Sequence, residues 1–299
     1  MITPWLHPDW LEDASTWIAA FVSLTGQVSF LRPDVRAWSV TLRVPTINGP
    51  MWFKEMCPAL AFEPALTQEL ARLAPGYTPE VVAAEGSRLL LANAGEPITE
   101  LRRARSPAWL DVVARYAELQ KAVVPDAAAL PAPDYTPATL ARRFEGRADE
   151  LVEAVGDTIP LSIVHLGVQP SHLLSQDGRI VFIDWGVAGY AHAFSGLVKT
   201  FHKLVSRLRA TPGGPEVLRI RDAYLEPWTT YAPAAELRRI FGAANALGAL
   251  CRVAAWEDKL ASVPPKGRRG FEHKPAKSMS IFEALAHDPG ALGTLPVRA

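Results

Sequence analysis

Residues 160–194, PLSIVHLGVQPSHLLSQDGRIVFIDWGVAGYAHAF, constrain this chain more than any other stretch. Two short apolar runs, 161–164 and 180–183, each lead at once into polar or ring-bearing residues. Between them Gln176-Asp177-Gly178-Arg179 is a hairpin turn signal, since Asp-Gly tolerates the positive φ of a tight two-residue turn. The two runs therefore read as strands that deliver His165 through His172, and Asp184, to one place. A single acid after a buried strand, beside a second loop of fixed spacing, is a common construction for a metal–phosphate site. Asp177 itself belongs to the turn and faces solvent in this reading.

Charge limits the choice of partner. The chain has 299 residues with 31 basic and 31 acidic side chains. Zero net charge argues against nucleic acid or an anionic membrane as main partner, because both demand a basic surface. Two cysteines, Cys57 and Cys251, make neither a disulfide framework nor a zinc cluster and read as small buried residues. With no leader pattern in MITPWLHPDW and no run of 18 apolar residues, the expected location is the reducing cytoplasm.

Hydrophobic period changes along the chain. A helix is expected over 8–21, then short strands over 28–30, 37–44 and 51–55, with Asn48-Gly49 as a hairpin turn. A helix over 61–73 and strands over 79–84 and 87–91 follow. Ala92-Asn93-Ala94-Gly95 breaks the pattern and reads as a hinge. Beyond it the chain turns helical: 107–124, 136–155, 195–209, 215–228 and 233–260. The basic segment 264–277 reads as a loop before a last short helix at 279–287. The expected class is α+β with two lobes. Residues 1–94 form a small antiparallel sheet lobe and 95–299 a helix-rich lobe, and a ligand cleft lies between them.

Several side chains could serve that cleft. Lys54 ends a strand after three apolar residues; it is either a surface lysine or a compact cation able to reach nucleotide phosphates from a rigid strand. Glu63, early in the next helix, is the expected partner that holds it, with Glu69 the alternative. Ser39 could donate to a phosphate, and the backbone of Ala92, Asn93 and Ala94 could meet an adenine edge. Asp222 and Glu226 stand one helical turn apart, so they share a face. They either bind a cationic or polyhydroxyl ligand or form a solvated surface. Trp185 either lines the cleft or fills the core.

Taken together, these pieces resemble the aminoglycoside phosphotransferase family, which shares the protein-kinase-like fold. The residues that carry the likeness are Val181-Phe182-Ile183-Asp184-Trp185-Gly186, His192 and Phe194, and Arg221 through Trp228 (RDAYLEPW). Trp38-Ser39, Arg43-Val44-Pro45-Thr46, Trp52-Phe53-Lys54 and Glu63-Pro64-Ala65-Leu66-Thr67 add to it. The likeness spans roughly residues 15–260 and implies ATP with Mg²⁺ as cofactors and a small hydroxyl-bearing molecule as the other ligand. It also implies a catalytic loop reading His-Gly-Asp, four residues, then Asn. His165 through His172 keep that spacing, but Gly167 stands where the base Asp belongs and His172 where the metal-holding Asn belongs. Leu166 replaces the Gly.

Losing the carboxylate removes the group that orients the acceptor hydroxyl, a contribution of about 10²–10⁴ in rate. A histidine in a metal position suits Mn²⁺ better than Mg²⁺, which prefers oxygen ligands. The expectation is a nucleotide-binding pseudokinase in which Asp184 and His172 hold a weakened metal. One alternative is an active kinase with a rearranged set, in which His165 or His172 acts as base. A scaffold without nucleotide is the other. For His165, a structural role in the turn is the competing reading.

Overall fold

The computed structural model describes residues 4–30, 35–288, 290 and 292. Helix α1 (Trp10–Ala19) leads into β1 (Ser29–Phe30), β2 (Ser39–Thr46) and β3 (Gly49–Met56); helix α2 (Glu63–Leu73) precedes β4 (Val81–Glu85) and β5 (Arg88–Leu91). The strands form one antiparallel sheet in the order β1-β2-β3-β5-β4. The alternation of strand side chains sorts its two faces. Val40, Leu42 and Val44 of β2 and Phe53 of β3 are fully buried, and they pack with Trp10 and Ile18 of α1. The β2–β3 turn closes on Thr46 opposite Gly49, whose φ of 98° is one that favours glycine.

The helical part begins with β6 (Glu96–Pro97), α3 (Ala108–Val123), α4 (Pro137–Arg143) and α5 (Asp149–Val155). Thr136 caps α4 by accepting the Thr139 N–H, as its Thr-Pro sequence suggests. The single helix expected over 136–155 is broken where Glu145 and Gly146 take positive φ values of 36° and 75°. Four strands follow: β7 (Leu161–His165), β8 (Leu173–Gln176), β9 (Arg179–Phe182) and β10 (Ala188–His192). The chain ends in α6 (Val198–Ser206), α7 (Pro215–Leu225), α8 (Ala234–Ala261), α9 (Pro265–Arg268) and α10 (Lys274–His287). The segment expected to be a loop over 264–277 is thus helical at both ends and interrupted at Gly270, φ 81°. No described helix is long and apolar enough to cross a membrane.

The two apolar runs of residues 160–194 do not pair with each other. Asp177 and Gly178 have φ of 50° and 75°, so they form the tight turn that sets Gln176 opposite Arg179. A two-residue turn leaves no freedom of register. Its flanks, β8 and β9, must be partners, and β6 adds to the β8 edge. The first run, β7, pairs instead with β10, with His165 opposite Ala188. The His165–His172 loop and Asp184 still meet, because each leaves its ribbon at the same end.

Helix α3 anchors that loop from behind. The Tyr116 hydroxyl accepts the His165 N–H at 2.7 Å, and its ring packs against Phe182 and Tyr224. Gln120 donates to the Ala193 carbonyl and accepts from the Tyr224 hydroxyl. Gly196 has no side chain because a Cβ there would lie 2.3 Å from the Tyr116 oxygen. Tyr116→Phe keeps the ring and removes the acceptor of a buried N–H. It should destabilise the protein by about 1–3 kcal/mol, read as a lower urea midpoint at unchanged slope; an unchanged midpoint contradicts this role.

Candidate functional site

Lys54 reaches the site because β3 alternates. Phe53 and Glu55 turn to the α1 side, where the Trp10 ring N–H donates to Glu55, and Lys54 turns to the other. Its ammonium donates to both Glu63 oxygens, at 2.8 and 2.7 Å, and to Asp184 Oδ1 at 2.6 Å. Glu63 opens α2, buried against Gly186, where a Cβ would stand 2.5 Å from its Oε2. The alternative Glu69 pairs with Arg72 at the surface. Burial alone would lower the Lys54 pKa, yet the charges of Asp184 and Glu63 hold it well above the usual range. Burial pushes Glu63 up against the pull of Lys54. Asp184, which burial would raise, is held well below the carboxylate range by Lys54 and His172. Two carboxylates thus share one fixed cation. Asp184 itself has φ 66° and ψ 56°, a left-handed conformation found at functional turns.

The loop before Asp184 is packed shut. His165 is buried, and its two ring nitrogens are both engaged: Nδ1 accepts the Gly167 N–H at 3.0 Å and Nε2 lies 3.0 Å from the Ile183 carbonyl. Burial lowers its pKa, so it is a neutral tie between loop and strand. A catalytic-base role for His165 is set aside for that reason. A Cβ at Gly167 would lie 2.9 Å from Val187 Cγ2, 3.2 Å from His172 Nδ1 and 3.3 Å from His165 Cε1. The space beside Gly167 is therefore filled, chiefly by Val187.

His172 turns toward Asp184. Its Nε2 lies 3.2 Å from Asp184 Oδ2 and 2.9 Å from the Gln169 amide nitrogen. Burial pushes its pKa down to about 4, against the pull of Asp184, so the ring is neutral near pH 7. One neutral nitrogen can donate to the carboxylate or accept from the amide, but not both. A carboxylate beside a neutral imidazole nitrogen fits a divalent ion that accepts nitrogen better than Mg²⁺ does. Among the described residues no group of three or more His, Cys, Asp or Glu is arranged to hold a metal ion. An ion here would draw further ligands from a bound molecule.

Other expected residues sort differently. Ser39 lies opposite Met56, two pairs from the Thr41–Lys54 pair, and so on the Lys54 face of the sheet. The Ala92–Ala94 stretch is no free hinge: the Ala92 N–H bonds to Glu80, the Asn93 carbonyl accepts from Gln176, and Ala94 is buried. A Cβ at Gly95 would sit 1.9 Å from the Ser175 carbonyl oxygen, so this stretch is pressed onto β8. Two of the backbone groups expected to meet an adenine edge are thereby occupied. Trp185 does not line the cleft; it is 1% exposed and donates to the Phe182 carbonyl. Asp222 is taken by Arg221 and by both prongs of Arg238, leaving no shared acidic face with the exposed Glu226. Asp177 is exposed in its turn.

Sequence reasoning missed Lys259. It is 6% exposed, with its ammonium 4.9 Å from the Trp256 ring and 5.4 Å from the Trp38 ring. Burial brings its pKa to about 8, while Asp184 pulls the other way. The available signal was the spacing of Arg252, Trp256 and Lys259, which share one face of α8.

Removing Lys54 leaves two acids without their cation. Lys54→Met should cost about 3 kcal/mol or more at pH 8. The carboxyls then bind protons more tightly folded than unfolded, so the deficit should shrink toward pH 5. Urea titrations at both values check this, and an equal deficit contradicts it. For Gly167→Ala we expect a loss of about 1–3 kcal/mol from overpacking. Val187→Ala in the same chain should recover part of it, and additive effects of the two substitutions would dissociate Val187 from Gly167.

Comparison with known proteins bears on this geometry. The family model described as the phosphotransferase enzyme family, APH, matches residues 58–237, more than half of the chain. No curated protein sequence matches it. Among solved structures, a choline/ethanolamine kinase family protein from Mesorhizobium loti is 14% identical with a TM-score of 0.58, covering 95% of this chain and 99% of that one. Amicoumacin kinase hAmiN, in complex with AMP-PNP, Ca²⁺ and Ami, is 11% identical with a TM-score of 0.61, over 94% and 95%. A macrolide 2'-phosphotransferase from Brachybacterium faecium is 17% identical with a TM-score of 0.53, over 86% and 99%. These likenesses establish a shared kinase-like α+β fold. By the family match, this chain belongs to the APH phosphotransferase family.

Proposed function

We propose that this chain is a nucleotide-binding member of the family without ordinary hydroxyl phosphotransfer, a pseudokinase. The observation that carries the reading is the buried Gly167 walled in by Val187. Phosphoryl transfer depends on positioning and charge stabilisation, and the missing carboxylate is the group that would hold an acceptor oxygen in line. His165 is tied at both nitrogens and so does not take over that position.

The nucleotide half is better preserved. Lys54, held by Glu63, would meet the α and β phosphates of ATP, and Ser39 shares its face of the sheet. Asp184 and His172 would hold the divalent ion that neutralises those phosphates, with Mn²⁺ preferred to Mg²⁺. Residues 1–94 then serve as the nucleotide lobe and 95–299 as the helical lobe that carries the loop. Support comes from amicoumacin kinase hAmiN, whose complex contains a nucleotide analogue and a divalent ion.

A second reading has one observation in its favour. His172 Nε2 stands 3.2 Å from Asp184 Oδ2, close enough for the pair to form a rearranged metal set in an active kinase.

Thermal denaturation with ADP or ATP, each with Mn²⁺ or Mg²⁺, separates these readings. Nucleotide at a hundredfold over Kd should stabilise by about 2.7 kcal/mol, with the larger shift in Mn²⁺ and no ATP turnover. Combining Gly167→Asp, Val187→Ala and His172→Asn should then create turnover. Robust wild-type turnover that disappears in His172→Ala favours the rearranged enzyme. Absence of any shift with either metal leaves a scaffold without nucleotide.

A further inference from the structure

A pocket with a cavity volume of about 60 Å³ and an open mouth lies between α6, α8 and α10. Lys199 and His202 of α6, Arg252 and Trp256 of α8, and Lys274 and Lys277 of α10 line it, and among the described residues no carboxylate does. Among the described residues, none of Lys199, Arg252, Lys274 and Lys277 is in a salt bridge. His202 is 5% exposed, and its Nδ1 is buried without a hydrogen-bond partner. The nearest acids on α8, Glu257 and Asp258, are spent on Arg143. In a chain of zero net charge, such a one-signed cluster is a local choice. Converging like charges repel one another, and a bound anion removes that repulsion.

The pocket adjoins the loop that carries Gly167. Arg252 donates to the Leu166 carbonyl, one residue before Gly167, and the Thr200 hydroxyl of α6 donates to the Val168 carbonyl at 2.8 Å. Arg252, Trp256 and Lys259 follow one another at i, i+4 and i+7 along α8. This face runs about 10 Å from the pocket to the ammonium that feels Asp184.

We propose that this pocket binds a small anionic molecule through phosphate or carboxylate groups, on the acceptor side of the site. The assignment to the acceptor side rests on the nucleotide reading above; the anion site itself does not. Cationic acceptors are disfavoured by the same charges. Burial, then Arg252, Lys203, Lys274 and Lys277, bring the Lys199 pKa down to about 7, so an anion that draws a proton onto Lys199 binds better in mild acid. The charged groups acting on Lys199 are all cationic: Lys203 from α6, Arg252 from α8, and Lys274 and Lys277 from α10. His202 beside it is neutral, since burial pushes its pKa down to about 4.

Calorimetric titration of the full chain tests this with glucose 6-phosphate, citrate and inorganic phosphate, against glucose and spermidine. At least one anion should bind saturably, more tightly at pH 6 than at pH 8.5, while glucose and spermidine do not. Preference for glucose 6-phosphate or for citrate identifies a phosphate-bearing or a carboxylate-bearing ligand. Lys274→Glu with Lys277→Glu, both on the rim, should weaken that binding about tenfold or more, equivalent to about 1.4 kcal/mol. Stabilisation by ADP with Mn²⁺ should stay unchanged in that variant. No saturable anion binding, equal affinity in the charge-reversed variant, binding of spermidine, or displacement of the anion by ADP each overturns the proposal. Anion binding that persists without any nucleotide response refutes the nucleotide reading alone; a nucleotide response without anion binding refutes this one alone.

Discussion

The bond on which the site depends is the shared ammonium of Lys54. It joins the sheet through β3, the helix α2 through Glu63, and the helical part through Asp184. Three elements distant in sequence meet at one cation. The Lys54–Glu63 pair is dry, so each of its charges depends on the other, whereas Asp184 keeps 36% of its side chain exposed. One cation against two carboxylates also leaves an excess negative charge. Lys259 lies close enough to feel it.

Around that centre the framework of the loop is intact while the group at its middle is missing. Tyr116 holds the His165 N–H, Arg252 holds the Leu166 carbonyl, Thr200 holds the Val168 carbonyl and His165 ties the loop to Ile183. The gap at Gly167 is filled by Val187, so the loop is close-packed around the glycine. A site that had merely lost a side chain would carry a void. Here the neighbouring residue occupies the space. The pocket next to it gathers cations from three helices on one side of that loop.

Much of the small sheet was legible because half-buried strands alternate. Val40, Leu42 and Val44 announce β2, and the 51–55 run places Lys54 opposite the buried Phe53 face. The Asp177-Gly178 turn was legible for a local reason, since few dipeptides accept two consecutive positive φ values. That the first apolar run pairs with β10 was not legible, because pairing is not local: β8 is polar enough to pass for loop, and β10 contains Gly189 and His192. Trp185, Asp222 and Glu226 were ambiguous for a related cause. A tryptophan or a carboxylate has the same sequence signature whether it meets a ligand, a core or an arginine.

The sequence by itself determined the order of the elements, the spacing of the loop, and the absence of acid and amide at Gly167 and His172. Those are properties of covalent order and local conformation. Only the tertiary structure decided that His172 faces Asp184, that Val187 closes over Gly167, and that Lys259 reaches the site. It also gathered Lys199, Arg252, Lys274 and Lys277 from three helices into one pocket. Composition averages those charges to zero, and only the packing of α6, α8 and α10 gathers them on one side of the loop.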